Sequence, residues 1–272
     1  QLDILFQEVN KLMPGYGYLN KVSEDNSHIG IPADGIYKIT LDNLQKKEII
    51  SIKELVSINP LDSMIGKHHF LTHTIFSPDS EKFVFLHRWI DINGDMEKRY
   101  SRMIVADLNG KILSIFNTDE MVSHIGWRNS EEIIAYCRLH KEGDKYAIFK
   151  VGDEKKFNII GNNNLISDGH PSFEKTGRWF VTDTYPDRRR MQFLILFDTI
   201  ENKRFDISYL PNSKKFVSPT IYEHWQCDLH PRWSRNSEKI CFDATFSGVR
   251  SLCTIALDKD ILMNEPKYLK KY

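Results

Sequence analysis

The sequence predicts an all-β fold, a β-propeller, and an internal repeat is the main observation behind it. Four segments share a pattern of histidine, two residues, an aromatic residue, a polar turn and an alternating apolar strand. They begin at His73, His124, His170 and His230. Further short strands follow each copy. Four short strands per unit, repeated roughly every 40 to 60 residues, are typical of propeller blades.

The elements follow in order along a predicted single propeller domain, residues 1–272. Leu2, Leu5, Val9 and Leu12 recur at helical spacing, which predicts a short helix over 1–15. The segment GIYKITLDNLQKKEIISI predicts part of a blade within 16–60. Polar turn clusters such as SPDS and EKTG connect the later strands. Further blades are expected over 72–116, 124–160, 170–210 and 230–258. With the partial blade, about five blades are visible.

Composition excludes several classes of partner. Lys and Arg together number 37, as do Asp and Glu, and the formal net charge is +0, which argues against a general nucleic-acid binder. No apolar run approaches the roughly 20 residues of a membrane span. The four cysteines have no CxxC spacing, which favours a reducing compartment, and we expect a cytoplasmic protein.

The repeated histidines are the most informative feature. Inner strands line the channel of a propeller, so histidines at the start of each strand should converge at one rim. Neutral imidazole is the commonest protein ligand for transition metals. Alternatively, a recurring polar residue satisfies backbone groups between blades. Asp168 and Asp228 each precede a histidine by two residues and share its strand face, as does Gln226. Such a set suits Mn²⁺, Fe²⁺ or Zn²⁺ more than Ca²⁺.

A second polar group is expected where the next strands return to the rim. This group includes His87, Arg88, Asp183 and Tyr185, and together with His73 and Asp168 from the inner-strand starts it would form the rim that a bound substrate meets. Arg99 and Arg102 follow and could bind a carboxylate in bidentate fashion, or lie on a solvated surface. No GxSxG, P-loop, GxGxxG or HExxH motif is present.

The segments DGHPSFEKTGRWFVTDTYPD and CDLHPRWSRNSEKICFDAT resemble the oligogalacturonate lyase branch of the TolB-like, WD40-like propeller proteins. The resemblance covers roughly residues 70 to 258 and matches the later half of that family's chain. An intact family member is expected to have about six or seven blades. The resemblance and the start at Gln1 therefore imply that one or two amino-terminal blades are missing.

The resemblance also implies a chemistry. His170 and His230 match metal ligands, with Mn²⁺ the implied ion. Gln226 matches a family glutamine to within one residue, and Asp228 stands where the family has a histidine. His124 matches the base that removes the proton beside a uronate carboxylate. The carboxylate would be neutralised by Arg102 or Arg99, and β-elimination of an oligouronide or related sugar acid would follow.

Two functions remain open at this stage. One is the metal-dependent lyase, acting on an oligosaccharide or sugar acid. The other is a non-catalytic propeller that binds a glycan or a protein partner through the same channel rim. If the ring is open, unpaired edge strands favour a homo-oligomer.

Overall fold

The structure, a computed structural model, describes residues 1–3, 12–13, 30–93, 98–216 and 227–257. Most of the regular structure in these residues is β-strand. The described residues form two compact units. The first unit contains the described residues of Gln1–Val122 and Val151–Lys155. The second unit contains the described residues of Ser123–Lys150, Lys156–Ser218 and Trp225–Tyr272.

The first unit contains two antiparallel sheets whose strands are paired in chain order. The first sheet has three strands: β1 (Leu2–Asp3), β2 (Gly35–Ile39) and β3 (Lys46–Ser51). The second has four strands: β4 (His68–Phe76), β5 (Lys82–Ile90), β6 (Arg99–Asp107) and β7 (Ile112–Ile115). A helix, α1 (Ile52–Ser57), and a 3-10 turn (Asp62–Met64) lie between the two sheets in the chain.

Three further sheets follow, again paired in chain order. The first comprises β8 (Val122–Trp127), β9 (Glu132–Leu139), β10 (Gly143–Lys150) and β11 (Asp153–Ile160). The second comprises β12 (Ser172–Phe173), β13 (Trp179–Asp183), β14 (Met191–Asp198) and β15 (Lys203–Pro211), followed by a 3-10 turn (Lys214–Phe216). The third comprises β16 (Arg232–Trp233), β17 (Lys239–Ala244) and β18 (Ser251–Ala256).

Four-stranded antiparallel sheets connected in this order are the blades of a β-propeller, so the predicted fold class is confirmed. The last four sheets occupy residues 68–115, 122–160, 172–211 and 232–256. Within the predicted amino-terminal helix, Leu2 and Asp3 instead form a short strand that pairs with Lys38 and Tyr37 of β2, whereas Leu12 is helical. Residues 4–11 and 14–15 of that prediction lie outside the described part of the chain.

Apolar side chains on both faces of the central strands build the cores. In the first unit, Phe83 and Phe85 of β5 pack with Ile104 of β6 and Leu55 of α1. In the second, Phe180 of β13 packs in a separate cluster whose buried members also include Ile134, Tyr146, Ile148, Ile195 and Phe197. Strands buried on both faces lose the simple alternation of apolar and polar residues.

Helix α1 begins with a capping box. Ser51 Oγ accepts a hydrogen bond from the Glu54 amide at 3.2 Å, and the Ser51 amide donates to Glu54 Oε2 at 3.0 Å. This reciprocal pair satisfies amides that the first helical turn leaves unpaired. No helix in the described ranges is long and apolar enough to cross a membrane.

Candidate functional site

Three of the four repeated histidines come together in the second unit. His124 lies in β8, while His170 and His230 lie two residues before the first residues of β12 and β16. The ring centres of His124 and His170 are 4.1 Å apart, and those of His170 and His230 are 3.8 Å apart. The predicted convergence of these inner-strand positions therefore holds within this unit. We call His124, His170, His230 and their aspartate partners Asp168 and Asp183 the histidine cluster.

Asp168 orients the ring of His124. His124 Nδ1 lies 3.0 Å from Asp168 Oδ1, and Ser123 Oγ donates to the other carboxylate oxygen. The amide of Gly169 also donates to Oδ1, at 2.8 Å. A carboxylate accepts and cannot donate, so Nδ1 carries the proton and Nε2 keeps its lone pair. His124 thus has the tautomer that a general base needs.

Asp183 holds the other two histidines. Its side chain is 1% exposed and accepts from His170 Nδ1 at 2.9 Å. It also accepts from the backbone amides of His170, at 2.7 Å, and His230, at 2.8 Å. Burial alone would raise the pKa of Asp183, but these hydrogen bonds and the nearby imidazole outweigh it and hold the pKa below its usual range. One carboxylate therefore positions residues from two successive blades.

Glycine at position 169 allows this close approach. A Cβ atom added to Gly169 would lie 2.0 Å from the Asp183 carbonyl oxygen and 2.8 Å from Thr182 Oγ1. No side chain fits at that separation, so the chain can pass β13 here because the residue has none. The segment between Asp168 and His170 is consequently held against the strand that carries Asp183.

His230 differs electrostatically from an ordinary surface histidine. Its backbone has a φ of 47°, in the left-handed region, and the residue is exposed on one side while its ring stacks on His170. Loss of solvent around the ring and the neighbouring His170 and Arg232 lower the pKa of His230 to about 3. The ring is therefore neutral at physiological pH and its nitrogen lone pair stays available.

Arg232 is a cation beside this cluster that the sequence analysis did not select. Loss of solvent lowers the pKa of Arg232, and the charge of Asp183 opposes that change. Its Nη1 donates to the Pro231 carbonyl at 2.8 Å. Its place at the start of β16, two residues after His230, is the signal that could have identified it.

Of the other predicted rim residues, Tyr185 lies beside the histidine cluster. Its ring centre is 6.3 Å from that of His124 and 6.1 Å from that of His170, and the side chain is 38% exposed. Asp228 is half-buried and contributes to the raised pKa of Arg250, whose first cause is the hydrogen bond to Asp243. Gln226 lies outside the described residues.

The cluster was tested against the metal that the resemblance implies. An aspartate on Nδ1 of His124 and of His170 is the arrangement that often supports metal-binding histidines. The distance between the imidazole rings, however, does not fit a shared metal ion. Two imidazoles that bind one ion through Nε2 at about 2.1 Å, roughly at right angles, have centres about 4.5 Å apart, whereas His170 and His230 stack at 3.8 Å. Within the described ranges, no three His, Cys, Asp or Glu side chains are arranged to hold a metal ion.

The remaining predicted residues belong to the first unit. His73 has a φ of 58° at an irregularity in the pairing of β4 with β5, and its Nδ1 lies 2.9 Å from Thr72 Oγ1. Arg88 is buried; its Nε donates to Thr72 Oγ1 at 3.0 Å. Arg99 is exposed at the start of β6.

Arg102 and His87 take part in a buried hydrogen-bond chain. Arg102 Nε donates to His87 Nδ1 at 3.1 Å, His87 Nε2 lies 3.0 Å from His69 Nδ1, and His69 Nε2 lies 3.2 Å from the Met64 carbonyl. Because the first donor is a guanidinium and the last acceptor a carbonyl, each ring donates through Nε2. The other Arg102 nitrogens donate to the carbonyls of Leu55, Ile58 and Asn59.

This chain ties Arg102 to the fold of the first unit. Sequence reasoning missed His69, although its place two residues before Leu71 on the buried face of β4 was a usable signal. Burial and the charges of His68 and Arg102 lower the pKa of His69 to about 4, and burial also lowers the pKa of His87 well below its usual value. Burial also lowers the pKa of Arg102, to about 10.

The fold and the cluster define an all-β propeller with aspartate-oriented histidines at the start of its inner strands. No protein-family model and no curated protein matches the sequence. Solved structures do match. TolB from Acinetobacter baumannii is 11% identical with a TM-score of 0.51, over 82% of this chain and 46% of TolB. A prolyl endopeptidase is 10% identical with a TM-score of 0.52, over 83% of this chain and 30% of that one.

An oligogalacturonate lyase in complex with manganese is also similar, at 10% identity and a TM-score of 0.49, over 85% of this chain and 73% of the lyase. The chain spans less than half the length of the TolB and endopeptidase chains. At these identities the similarity establishes the β-propeller fold and no specific activity.

Proposed function

We propose that the second unit carries the proton-transfer site of a lyase-like propeller that acts on oligouronides or related sugar acids by β-elimination. The observation that supports this proposal is the pair of aspartate-oriented imidazoles, His124 with Asp168 and His170 with Asp183, packed 4.1 Å apart. A base of defined tautomer beside a second polar ring is what removal of a weakly acidic carbon-bound proton requires.

In the proposed reaction, His124 Nε2 takes the proton from the carbon next to the uronate carboxylate. The electron pair of that C–H bond forms a carbon–carbon double bond, and the bond from the neighbouring carbon to the glycosidic oxygen breaks. The leaving oxygen takes a proton from solvent. Asp168 stabilises the imidazolium that forms, as an acceptor at 3.0 Å from Nδ1.

The substrate carboxylate needs a cation beside this base. We assign that role to Arg232, which lies close enough to Asp183 and His230 for their charges to affect one another. This replaces the sequence-based choice of Arg102 or Arg99, because Arg102 donates to His87 and to three backbone carbonyls of its own unit. A guanidinium held in that way has few donors left for a ligand.

The resemblance also implies a divalent metal, Mn²⁺ foremost, with Fe²⁺ or Zn²⁺ as alternatives, on His170, His230, Asp228 and Gln226. A metal would screen the carboxylate charge. Because the rings of His170 and His230 are too close together to share an ion, no step of the proposed reaction passes through a metal. Metal content is therefore measured separately from turnover.

The test is incubation of the purified, untagged protein with oligogalacturonate while the ultraviolet absorbance of unsaturated uronate is recorded. His124→Gln should lower the rate by about 100-fold or more, the usual contribution of a general base. His140→Gln, which changes an exposed histidine in the turn after β9, is the matched control and should keep the wild-type rate.

Absence of any unsaturated product, or full activity in His124→Gln, would overturn the lyase proposal. Each assay is run with and without a chelator, and bound metal is measured in both samples. Binding of oligogalacturonate without product would favour the alternative function, a non-catalytic propeller that binds a glycan.

A further inference from the structure

A cavity of about 330 Å³ lies within the second unit and is not used by the proposed reaction. Its walls come from the segment before β12, from the end of β13 with the loop that follows, and from β14 and β15. The residues that matter below are Leu165, Ile166, Tyr185, Phe193, Ile195 and Arg204.

The cavity borders the histidine cluster. Tyr185 belongs to its wall and lies 6.3 Å and 6.1 Å from the ring centres of His124 and His170. Tyr185 is therefore the residue that the cavity and the histidine cluster share, and a group attached to a compound at His124 would reach the cavity past its ring.

The chemistry of the walls is mainly apolar, and their side chains are held in place. Phe193 lies between Tyr209, whose ring centre is 4.3 Å away, and Arg204, whose guanidinium is 5.0 Å from the Phe193 centre. Arg204 is fixed by Asp206 Oδ1 at 2.6 Å and by the Asn164 carbonyl at 2.9 Å.

The polar wall residues include Thr182, Thr184 and Asp187, and each is already hydrogen-bonded: Thr182 Oγ1 lies 3.0 Å from the Tyr146 hydroxyl, Thr184 Oγ1 accepts from the Phe193 amide at 3.0 Å, and Asp187 Oδ2 accepts from the Tyr209 hydroxyl at 2.6 Å. The remaining wall surface suits an apolar group better than a sugar ring, whose hydroxyls need hydrogen-bonding partners.

The size of the cavity sets the size of that group. An apolar cavity of about 150 Å³ is enough to bind benzene, and small-molecule pockets begin at about 300 Å³. The volume of about 330 Å³ thus accommodates an aromatic ring with its linking atoms. Ile166 is 77% exposed, so an apolar side chain is held open to solvent at this cavity.

We propose that this cavity binds an aromatic group attached to the sugar acid that lies at His124. The substrate class is then a uronic acid that carries an aromatic substituent, and not a bare oligouronide. This inference rests on the proposed function, because the position of the sugar acid comes from the assignment of His124 as the base.

The test compares the affinities of phenyl glucuronide and glucuronic acid by calorimetry or ligand-observed NMR, with no turnover required. The phenyl compound should bind at least about tenfold more tightly, because a buried ring contributes more than the 1.4 kcal/mol that a tenfold ratio represents. Ile166→Trp fills the cavity from an exposed position that tolerates substitution, and should remove the preference while the affinity for glucuronic acid stays the same.

Ile200→Trp is the matched control, because Ile200 is 66% exposed in the turn between β14 and β15 and does not line the cavity. Equal affinities for the two compounds, no binding of either, or a preference that survives Ile166→Trp would each overturn the proposal. Product from oligogalacturonate without the phenyl preference would overturn the cavity assignment and leave the lyase. The preference without product would overturn the lyase and leave the cavity as a binding site.

Discussion

At the scale of single residues, Asp183 does most to organise the histidine cluster. Its carboxylate accepts hydrogen bonds from one imidazole and two backbone amides, all at 3.0 Å or less. Buried charge is stabilised when every lone pair has a partner, and hydrogen bonds to a charged acceptor are stronger than neutral ones. Asp183 therefore contributes to stability as well as to the orientation of His170.

The Asp183→Asn variant tests this role. Replacing one carboxylate oxygen by an NH₂ group sets a donor against the donors that Asp183 now accepts, so the free energy of unfolding should fall by about 3 kcal/mol. Urea denaturation measures the change. The control is Asp144→Asn. Asp144 Oδ1 accepts from Arg138 Nε at 2.8 Å in a surface ion pair, so this change should alter the free energy of unfolding by less than about 1 kcal/mol. Equal effects of the two variants would contradict the assignment.

At the scale of elements, the buried chain of Arg102, His87 and His69 connects the sheet of β4 to β7 with the end of α1. Arg102 donates to the carbonyls of Leu55, Ile58 and Asn59, which follow or close the last turn of the helix. The last carbonyls of any helix lack partners within it. A side chain from β6 thus supplies the partners that a six-residue helix needs in order to persist.

Arg102→Met is expected to loosen α1. Methionine keeps much of the buried stem but removes the donor that Arg102 supplies to His87 Nδ1 and to the Ile58 and Asn59 carbonyls, at a cost of about 3 kcal/mol, while the Leu55 carbonyl keeps its bond from the Ile58 amide. Hydrogen exchange of the amides in 52–59 should accelerate more than that of the β5 amides. Arg99→Met, at an exposed position of the same strand, is the control and should leave both exchange rates unchanged. Uniform acceleration through the whole unit would show that Arg102 does not act on α1 in particular.

The repeat was sufficient to predict the blades and the convergence of His124, His170 and His230, because equivalent positions of a repeat occupy equivalent places in the fold. It could not predict His73, whose place at an irregular pairing of β4 breaks the register on which the alignment depends. The partners of Arg102 could not be predicted either, because they include backbone carbonyls more than 40 residues away, which no local pattern encodes.

At the scale of the whole molecule, each unit contains histidines that burial keeps neutral. His69 and His87 belong to the first unit and His230 to the second, and the pKa of each lies below the ordinary value of 6.5. The unfolded chain therefore binds more protons than the folded one at mildly acidic pH. Stability is then greatest above about pH 6.5 and falls as the pH drops toward the folded-state pKa values.

For His69 the expected window runs from its unfolded pKa of 6.5 down to about 4. Between about pH 7 and about pH 5 this one group should lower the free energy of unfolding by about 2 kcal/mol. The measurement is urea unfolding at a series of pH values. His69→Gln should reduce the pH dependence by that amount whatever its effect on stability at neutral pH, and His140→Gln, an exposed control, should not. An unchanged slope in His69→Gln would show that His69 titrates normally in the folded protein.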